Sequence, residues 1–84
     1  MALLLSDHAR QRLRDRHVPI EAVALVIAQP ERLELLDPET WNERHRSTRR
    51  VGRLRLAVVW KWEFGDRFVM TVTVDAASRP MAGE

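Results

Sequence analysis

An arginine-rich segment that also carries a histidine, residues 8–18, is the part of the chain best suited to chemistry on a phosphate ester. It follows the helix start signal Ser6-Asp7, so it is predicted to be helical. At helical spacing, His8, Arg12 and Arg16 lie along one face. An imidazole is the usual proton carrier near neutral pH, and guanidinium groups bind phosphate oxygens in pairs. This face could therefore hold a phosphate and transfer a proton beside it.

Basic residues are concentrated in a second segment, residues 44–61, which has seven cationic side chains and no acidic one, although the whole chain has a net charge of only +2. Most of these cations are arginines, which suit two-pronged contacts with phosphate oxygens. Such segregation of charge favours an anionic partner. The alternative is that the arginines only keep exposed strands soluble.

The prolines and the spacing of apolar residues divide the chain into two helices followed by four strands. The helices are predicted at residues 6–16 and 19–29, the second one beginning at Pro19 and ending before Pro30. Alternation of apolar and polar residues predicts strands at 32–36, 44–51, 53–63 and 67–75. We therefore predict an α+β domain over residues 1–76, with two helices packed on one face of a four-stranded antiparallel sheet, and a disordered tail at 77–84.

The apolar residues also predict which surfaces meet in the core. The second helix is predicted to bury a stripe formed by Ile20, Val23, Ala24 and Ile27, widened by Ala22 and Val26. The side chains of the last two strands predicted to face the helices are Leu54, Leu56, Val58, Trp60, Trp62, Phe68, Met70, Val72 and Val74. The opposite face is predicted to carry Arg55, Lys61, Thr71, Thr73 and Asp75, together with Val59 and Val69. That face suits either RNA or a protein partner.

Composition argues against several classes of protein. The chain has no cysteine, and its three histidines have no short helical spacing, so a metal site is poorly supported. The longest apolar run is too short to cross a bilayer, and the first leucines have no basic region before them as in a signal peptide. We expect a cytoplasmic protein with no cofactor and no membrane partner.

The first helix carries the pattern His8-Ala9-x-x-Arg12-Leu13-x-x-Arg16-x-Val18, and a proline-started helix and a run of strands follow it. This arrangement resembles the small proteins grouped as domain of unknown function 4258, which are usually placed beside the RelE/ParE and BrnT toxins. The resemblance spans residues 5–74. It implies a RelE-like fold, a ribonuclease-type toxin activity and a small antitoxin protein as a possible partner.

Metal-independent RNA cleavage needs a base for the 2′-hydroxyl, cations for the phosphorane and an acid for the 5′-oxygen. RelE-like toxins generally place a Tyr or His near the last strand, but this chain has no Tyr and its last strand ends Thr-Val-Thr-Val-Asp at 71–75. His8 is therefore predicted to be the base, with Asp75 orienting it. The predicted catalytic residues are His8, Arg12, Arg46, Arg55 and Lys61, which folding would have to bring to one groove edge.

Five further residues are predicted to contact RNA: Arg16, Trp41, Arg44, Arg50 and Arg53. Trp41 lies in a predicted loop, where its ring could stack on a base. Two alternatives remain open at this point. One is a noncatalytic module that forms a homodimer through the sheet face carrying Val59 and Val69. The other is a regulator that binds nucleic acid without cutting it.

Overall fold

A computed structural model describes residues 3–36 and 43–76, which form two helices and a five-stranded sheet. The elements are β1 (Leu3–Leu5), α1 (Asp7–Arg16), α2 (Ile20–Ala28), β2 (Arg32–Leu35), β3 (His45–Val51), β4 (Leu54–Glu63) and β5 (Asp66–Ala76). The strand order is β1-β5-β4-β3-β2, and all neighbours are antiparallel except β1 and β5. The predicted α+β class is confirmed. The predicted sheet of four antiparallel strands is wrong, because a fifth strand adds to it in parallel.

The additional strand, β1, joins the sheet beside β5. Its residues Leu3 and Leu5 pack against the core, and Leu4 lies opposite Phe68 in the register of the two strands. Ser6 extends this pairing, because its backbone N–H donates to the Val69 carbonyl at 2.9 Å and its hydroxyl donates to the Met70 carbonyl at 2.7 Å. Three successive leucines show no alternation, so the pattern that revealed the other strands could not reveal this one.

Helix α1 begins and ends as its sequence predicts. The Ser6 hydroxyl accepts a hydrogen bond from the Ala9 N–H at 3.0 Å and so caps the first turn. At the other end His17 is left-handed, with φ of 56°, and the Val18 N–H donates to the Leu13 carbonyl at 2.9 Å. This is the usual closing geometry of a helix that ends in a left-handed residue.

The helices cover one face of the sheet, with α1 on β5 and β1 and α2 on β3 and β4. The core that they share with the sheet contains Ala9, Leu13, Val18, Ala22, Val23, Val26, Ile27, Leu56, Val58, Trp60, Val69, Val72 and Val74. On α2 the prediction is wrong for Ile20 and Ala24, which are exposed, because the buried stripe is centred on Val23 and Val26. Among residues 3–36 and 43–76, no helix is long and apolar enough to span a membrane.

A β-bulge between β4 and β5 reverses the predicted facing of part of β5. Val59 lies opposite Thr71, but the next residue, Trp60, lies opposite Val69, so Met70 is an extra residue. Val69 therefore points into the core and is 0% exposed, whereas Phe68 lies beside Lys61 on the other face. The predictions that Phe68 faces the helices and that Val69 faces away are wrong. A homodimer through Val59 and Val69 together is excluded for the same reason.

The turn between β4 and β5 places an aromatic residue where the backbone disfavours one. Phe64 and Gly65 have φ of 51° and 83°, as in the two-residue hairpin turn that prefers Asn-Gly. The Phe64 side chain is 98% exposed, so no packing compensates for the left-handed backbone.

Phe64→Asn is expected to raise the free energy of unfolding by about 1 kcal/mol, because asparagine tolerates the left-handed region. Urea denaturation followed by tryptophan fluorescence measures the change. Phe64→Ala is the matched control, since it removes the ring but keeps the backbone penalty and should leave stability nearly unchanged. Equal stability of the Asn and parent proteins would contradict this account of the turn.

Candidate nucleic-acid interface

The sheet face turned away from the helices, here called the open face, contains a concavity of about 540 Å³. The concavity spans β2 to β5. On each of these strands every second side chain faces away from the helices, and these side chains lie side by side across the sheet, as Thr48, Ala57 and Thr73 do. The residues that line the concavity are Glu31, Arg32, Glu34, Arg46, Thr48, Arg55, Ala57, Val59 and Thr73. Small side chains form part of its floor, so a ligand could approach the sheet closely.

An ion pair between Glu34 and Arg46 lies in this concavity. Arg46 Nε donates to Glu34 Oε1 at 2.7 Å, and Arg32 Nη2 lies 3.5 Å from Glu34 Oε2. The hydrogen bond from Arg46 lowers the pKa of Glu34 below its ordinary value, and the charges of Arg46 and Arg32 lower it further. Glu34 is therefore an ionised carboxylate held between two guanidinium groups. It can accept a proton from a hydroxyl placed beside it, although the lowered pKa makes it a weaker base than an ordinary glutamate.

Glu34 was not among the residues predicted to act in the site. The signal was present in the predicted strand at 32–36, where alternation puts Arg32 and Glu34 on the face opposite to Leu33 and Leu35. The structure confirms this alternation and places Glu34 opposite Arg46 on β3. Glu31 also lines the concavity; its carboxylate accepts a hydrogen bond from the Arg50 backbone N–H at 3.2 Å, and its own backbone N–H donates to the Thr48 carbonyl at 2.9 Å.

Two arginines face each other at one end of the open face. Arg50 on β3 lies directly opposite Arg55 on β4, and Asp75 lies opposite Arg55 on β5. Like charges in directly opposite positions destabilise a sheet, and an anion bound between them removes that repulsion. The Arg50 side chain is oriented by a hydrogen bond from its Nε to the Gly52 carbonyl at 3.1 Å. This end of the sheet is therefore suited to a phosphate.

The predicted residues of α1 lie on the other side of the sheet. Ala9 and Leu13 point down into the core, so His8 and Arg16 are exposed on the helical layer, with Arg12 partly buried beside them. The α1 helix packs on the face opposite to Arg46 and Arg55, and none of its residues lines the concavity. The prediction that His8 and Arg55 meet at one groove edge is wrong. For the same reason Asp75 does not orient His8.

The remaining predicted residues are spread along the sheet. Lys61 lies on the open face but is six positions, about 20 Å, from Arg55 along β4 and pairs with Glu63 at 3.5 Å. Arg53 is exposed in the turn between β3 and β4, and Arg44 is partly buried just before β3. Trp41 lies outside the described residues. Of the predicted catalytic residues, Arg46 and Arg55 line the same concavity, with Arg46 opposite Val59 and therefore four positions, about 13 Å, from Arg55 along β4.

An aromatic cluster occupies the helix-bearing face of the same strands. The His45 ring stacks on Trp60 at 4.5 Å, Trp62 meets Trp60 edge-on at 5.5 Å, and the Arg67 guanidinium lies 5.1 Å from the Trp62 ring. Trp60 Nε1 donates to the buried Ser47 hydroxyl at 2.9 Å. These contacts fix His45 on the side away from the concavity. The cluster therefore belongs to the packing of the sheet rather than to the open face.

Within residues 3–36 and 43–76, no group of three or more His, Cys, Asp or Glu side chains is arranged to hold a metal ion. Comparisons of the chain with protein families, with curated proteins and with solved structures give no match. The likeness to domain of unknown function 4258 and to RelE-like toxins therefore stays a prediction.

Proposed function

We propose that this protein binds RNA on its open face and cleaves it there without a metal ion, as a toxin-type endoribonuclease. The observation that carries the proposal is the ionised Glu34 held between Arg32 and Arg46 in a concavity that Arg55 also lines. A base and several phosphate-binding cations in one place are two of the three requirements for cleaving RNA through its own 2′-hydroxyl.

The charges of the open face support RNA as the ligand. Arg50 and Arg55 lie directly opposite each other, with Asp75 on the other side of Arg55, and a phosphate bound between the two arginines would reduce their repulsion. Thr48 and Thr73 add hydroxyl groups, and Ala57 and Val59 offer an apolar floor for a ribose or a base. A surface that alternates guanidinium groups with small side chains lets a strand lie flat on the sheet while its phosphates contact the arginines.

The proposed reaction uses the Glu34 carboxylate as the base. It removes the proton of a 2′-hydroxyl, the 2′-oxygen bonds to the adjacent phosphorus, and the bond from phosphorus to the 5′-oxygen breaks. The departing 5′-oxygen takes a proton from solvent water, so the products are a 2′,3′-cyclic phosphate and a 5′-hydroxyl. Arg46, beside Glu34, stabilises the additional negative charge of the phosphorane, and Arg55, four positions further along the strands, binds a neighbouring phosphate. A small antitoxin as a partner is the part of this proposal that comes from the resemblance, and the cytoplasm as the location of the target RNA comes from the composition.

The affinity for RNA is expected to fall steeply as salt is raised, because each phosphate contact displaces condensed counterions. Arg55→Ala should weaken binding and lower the slope of log affinity against log salt by roughly 0.7–0.9, the share of one contact. Fluorescence anisotropy with a labelled single-stranded RNA measures both quantities, and the same RNA incubated in EDTA reports cleavage.

Arg10→Ala is the matched control, because Arg10 is an exposed arginine on α1, on the other side of the sheet. It should leave the affinity and the slope almost unchanged. An equal effect of Arg10→Ala and Arg55→Ala would show that binding follows net charge and not the open face. Binding without any fragments in EDTA would leave the protein as a nucleic-acid-binding module and would refute the cleavage reaction.

A further inference from the structure

The outer edge of β2 has backbone groups that no described strand pairs with. The Leu36 N–H donates to the Arg44 carbonyl at 2.8 Å, so Leu36 directs its backbone toward β3. In an antiparallel ladder this direction alternates, which turns Glu34 and Arg32 toward β3 and leaves Leu33 and Leu35 with their N–H and C=O groups facing outward. An edge of this kind can accept another strand.

The side chains along this edge are also incompletely covered. Leu33 and Leu35 lie on the helix-bearing face, but α2 packs on β3 and β4, and the two leucines remain 56% and 46% exposed. On the open face the edge carries Arg32, whose side chain is 74% exposed, and Glu34. The edge thus presents leucines on one side and two opposite charges, two residues apart, on the other.

We propose that a second copy of this chain pairs with this edge, β2 against β2 and antiparallel, about a two-fold axis at Leu33. In this register Leu33 lies opposite the partner's Leu33, and Arg32 lies opposite the partner's Glu34. The two-fold axis repeats the second pair, so two cross-strand ion pairs form on the open face. Opposite charges in these positions stabilise a strand pair, and the leucines bury each other on the other face.

The charges also select this register over the neighbouring one. Because outward-facing backbone groups recur every second residue, a neighbouring two-fold pairing of this edge is centred on Glu34. That pairing sets Glu34 against the partner's Glu34, and like charges directly opposite are unfavourable. The sequence Arg32-Leu33-Glu34 is therefore complementary to itself in one register only. This self-complementarity is the argument for a second copy rather than an unrelated strand.

Pairing in this way extends each five-stranded sheet into one of ten strands. The two open faces then lie on the same side, and their concavities, which Arg32 and Glu34 line, become neighbours across the axis. The interface is small, so the dimer is expected to be reversible and to depend on protein concentration. This inference rests on the edge of β2 and holds whether or not the protein acts on RNA.

Leu33→Cys tests the register directly, because the natural chain has no cysteine and a single thiol can react only with its own copy. Opposite residues of a hydrogen-bonded antiparallel pair have Cα atoms about 5.5 Å apart, which a disulfide can span. Under mild oxidation the Leu33→Cys protein should form a covalent dimer rapidly, as seen on a non-reducing gel. Leu35→Cys is the matched control on the same strand. In the proposed register the two introduced thiols of a dimer lie four residues apart along the strands, so this protein should form little covalent dimer.

Charge reversal tests the ion pairs with a second measurement. Arg32→Glu sets like charges opposite each other and should shift sedimentation velocity profiles toward the monomer, while the double variant Arg32→Glu/Glu34→Arg should restore the dimer. Near-ultraviolet circular dichroism confirms that each variant is folded. Equal crosslinking of the two cysteine variants, or a parent protein that stays monomeric at every accessible concentration, would overturn the proposal. Mixed crosslinks between Leu33→Cys and Leu35→Cys proteins in place of Leu33→Cys dimers would also overturn it, in favour of the register centred on Glu34.

Discussion

Replacing Glu34 by glutamine is expected to slow RNA cleavage by about 10²–10⁴-fold, the usual effect of removing a general base. The affinity for RNA should stay the same or increase, because the substitution removes a negative charge from a concavity that otherwise binds phosphates. A large loss of cleavage rate without a loss of RNA affinity is the result expected if Glu34 acts on the reacting hydroxyl. Single-turnover cleavage with saturating protein measures the rate apart from the affinity.

The pH dependence of cleavage distinguishes Glu34 from a histidine base. The hydrogen bond from Arg46 lowers the pKa of Glu34, so this base stays ionised as the solution becomes mildly acidic. The rate should fall only when the pH passes below the ordinary range of a glutamate, whereas a histidine base would be lost nearer neutral pH. His8→Gln is the matched control and should keep full activity. Loss of cleavage in His8→Gln, with activity retained in Glu34→Gln, would refute the assignment.

Replacing Val69 by aspartate is expected to cost about 4–5 kcal/mol of unfolding free energy, because it leaves an unpaired charge in the core. Typical stabilities are about 5–15 kcal/mol, and a chain of 84 residues lies toward the low end of that range, so the variant should lose most of its stability. Phe68→Asp is the control, since the β-bulge places Phe68 on the open face beside Lys61. It should remain folded with a modest loss.

Far-ultraviolet circular dichroism and urea denaturation compare the two variants. The comparison is informative because simple alternation from Val72 and Val74 would bury Phe68 and expose Val69. It therefore predicts that Phe68→Asp is the more destabilising of the two substitutions. A folded Val69→Asp protein together with an unfolded Phe68→Asp protein would show that β5 pairs with β4 without the bulge. Val69 would then face away from the helices.

Much of the architecture could be predicted from local signals. Ser6 marks the start of α1, Pro19 and Pro30 bound α2, and the alternation in β4 identifies Leu56, Val58 and Trp60 as core residues. Each of these signals acts within a few residues, through a cap, a missing N–H or the pleat of a strand.

The errors arose where the deciding interaction is distant in the chain. β1 depends on pairing with β5, and nothing within Leu3–Leu5 itself indicates a parallel partner. The bulge falls in Phe68, Val69 and Met70, three apolar residues in a row, so hydrophobicity cannot show which of them turns outward. Pairing between segments that are distant in the chain determines both β1 and the bulge, and the local sequence pattern does not contain that information.

The candidate site was predicted in part. Arg46 and Arg55 were identified from charge, and in the structure both line the concavity that Glu34 also lines. The assignment of His8 rested on residue type, and the structure places His8 on the helical layer, away from the concavity. Ala9 and Leu13 already indicated that α1 lies on the sheet through its apolar side. A neighbouring residue that faces solvent on that layer cannot reach the opposite face of the sheet.

The hydrogen bond from Ser6 to Met70 joins residues that are 64 positions apart and gives the fold an order of assembly. The helices α1 and α2 and the β3–β4 hairpin each form from residues that are close in the chain, but β1 has no strand to pair with until β5 is in place. Contacts of such long sequence separation carry a large loop-closure cost and form late. The first and last strands therefore close the sheet together, and a nascent chain that ends before β5 lacks the central neighbour on which β4 and β1 both depend.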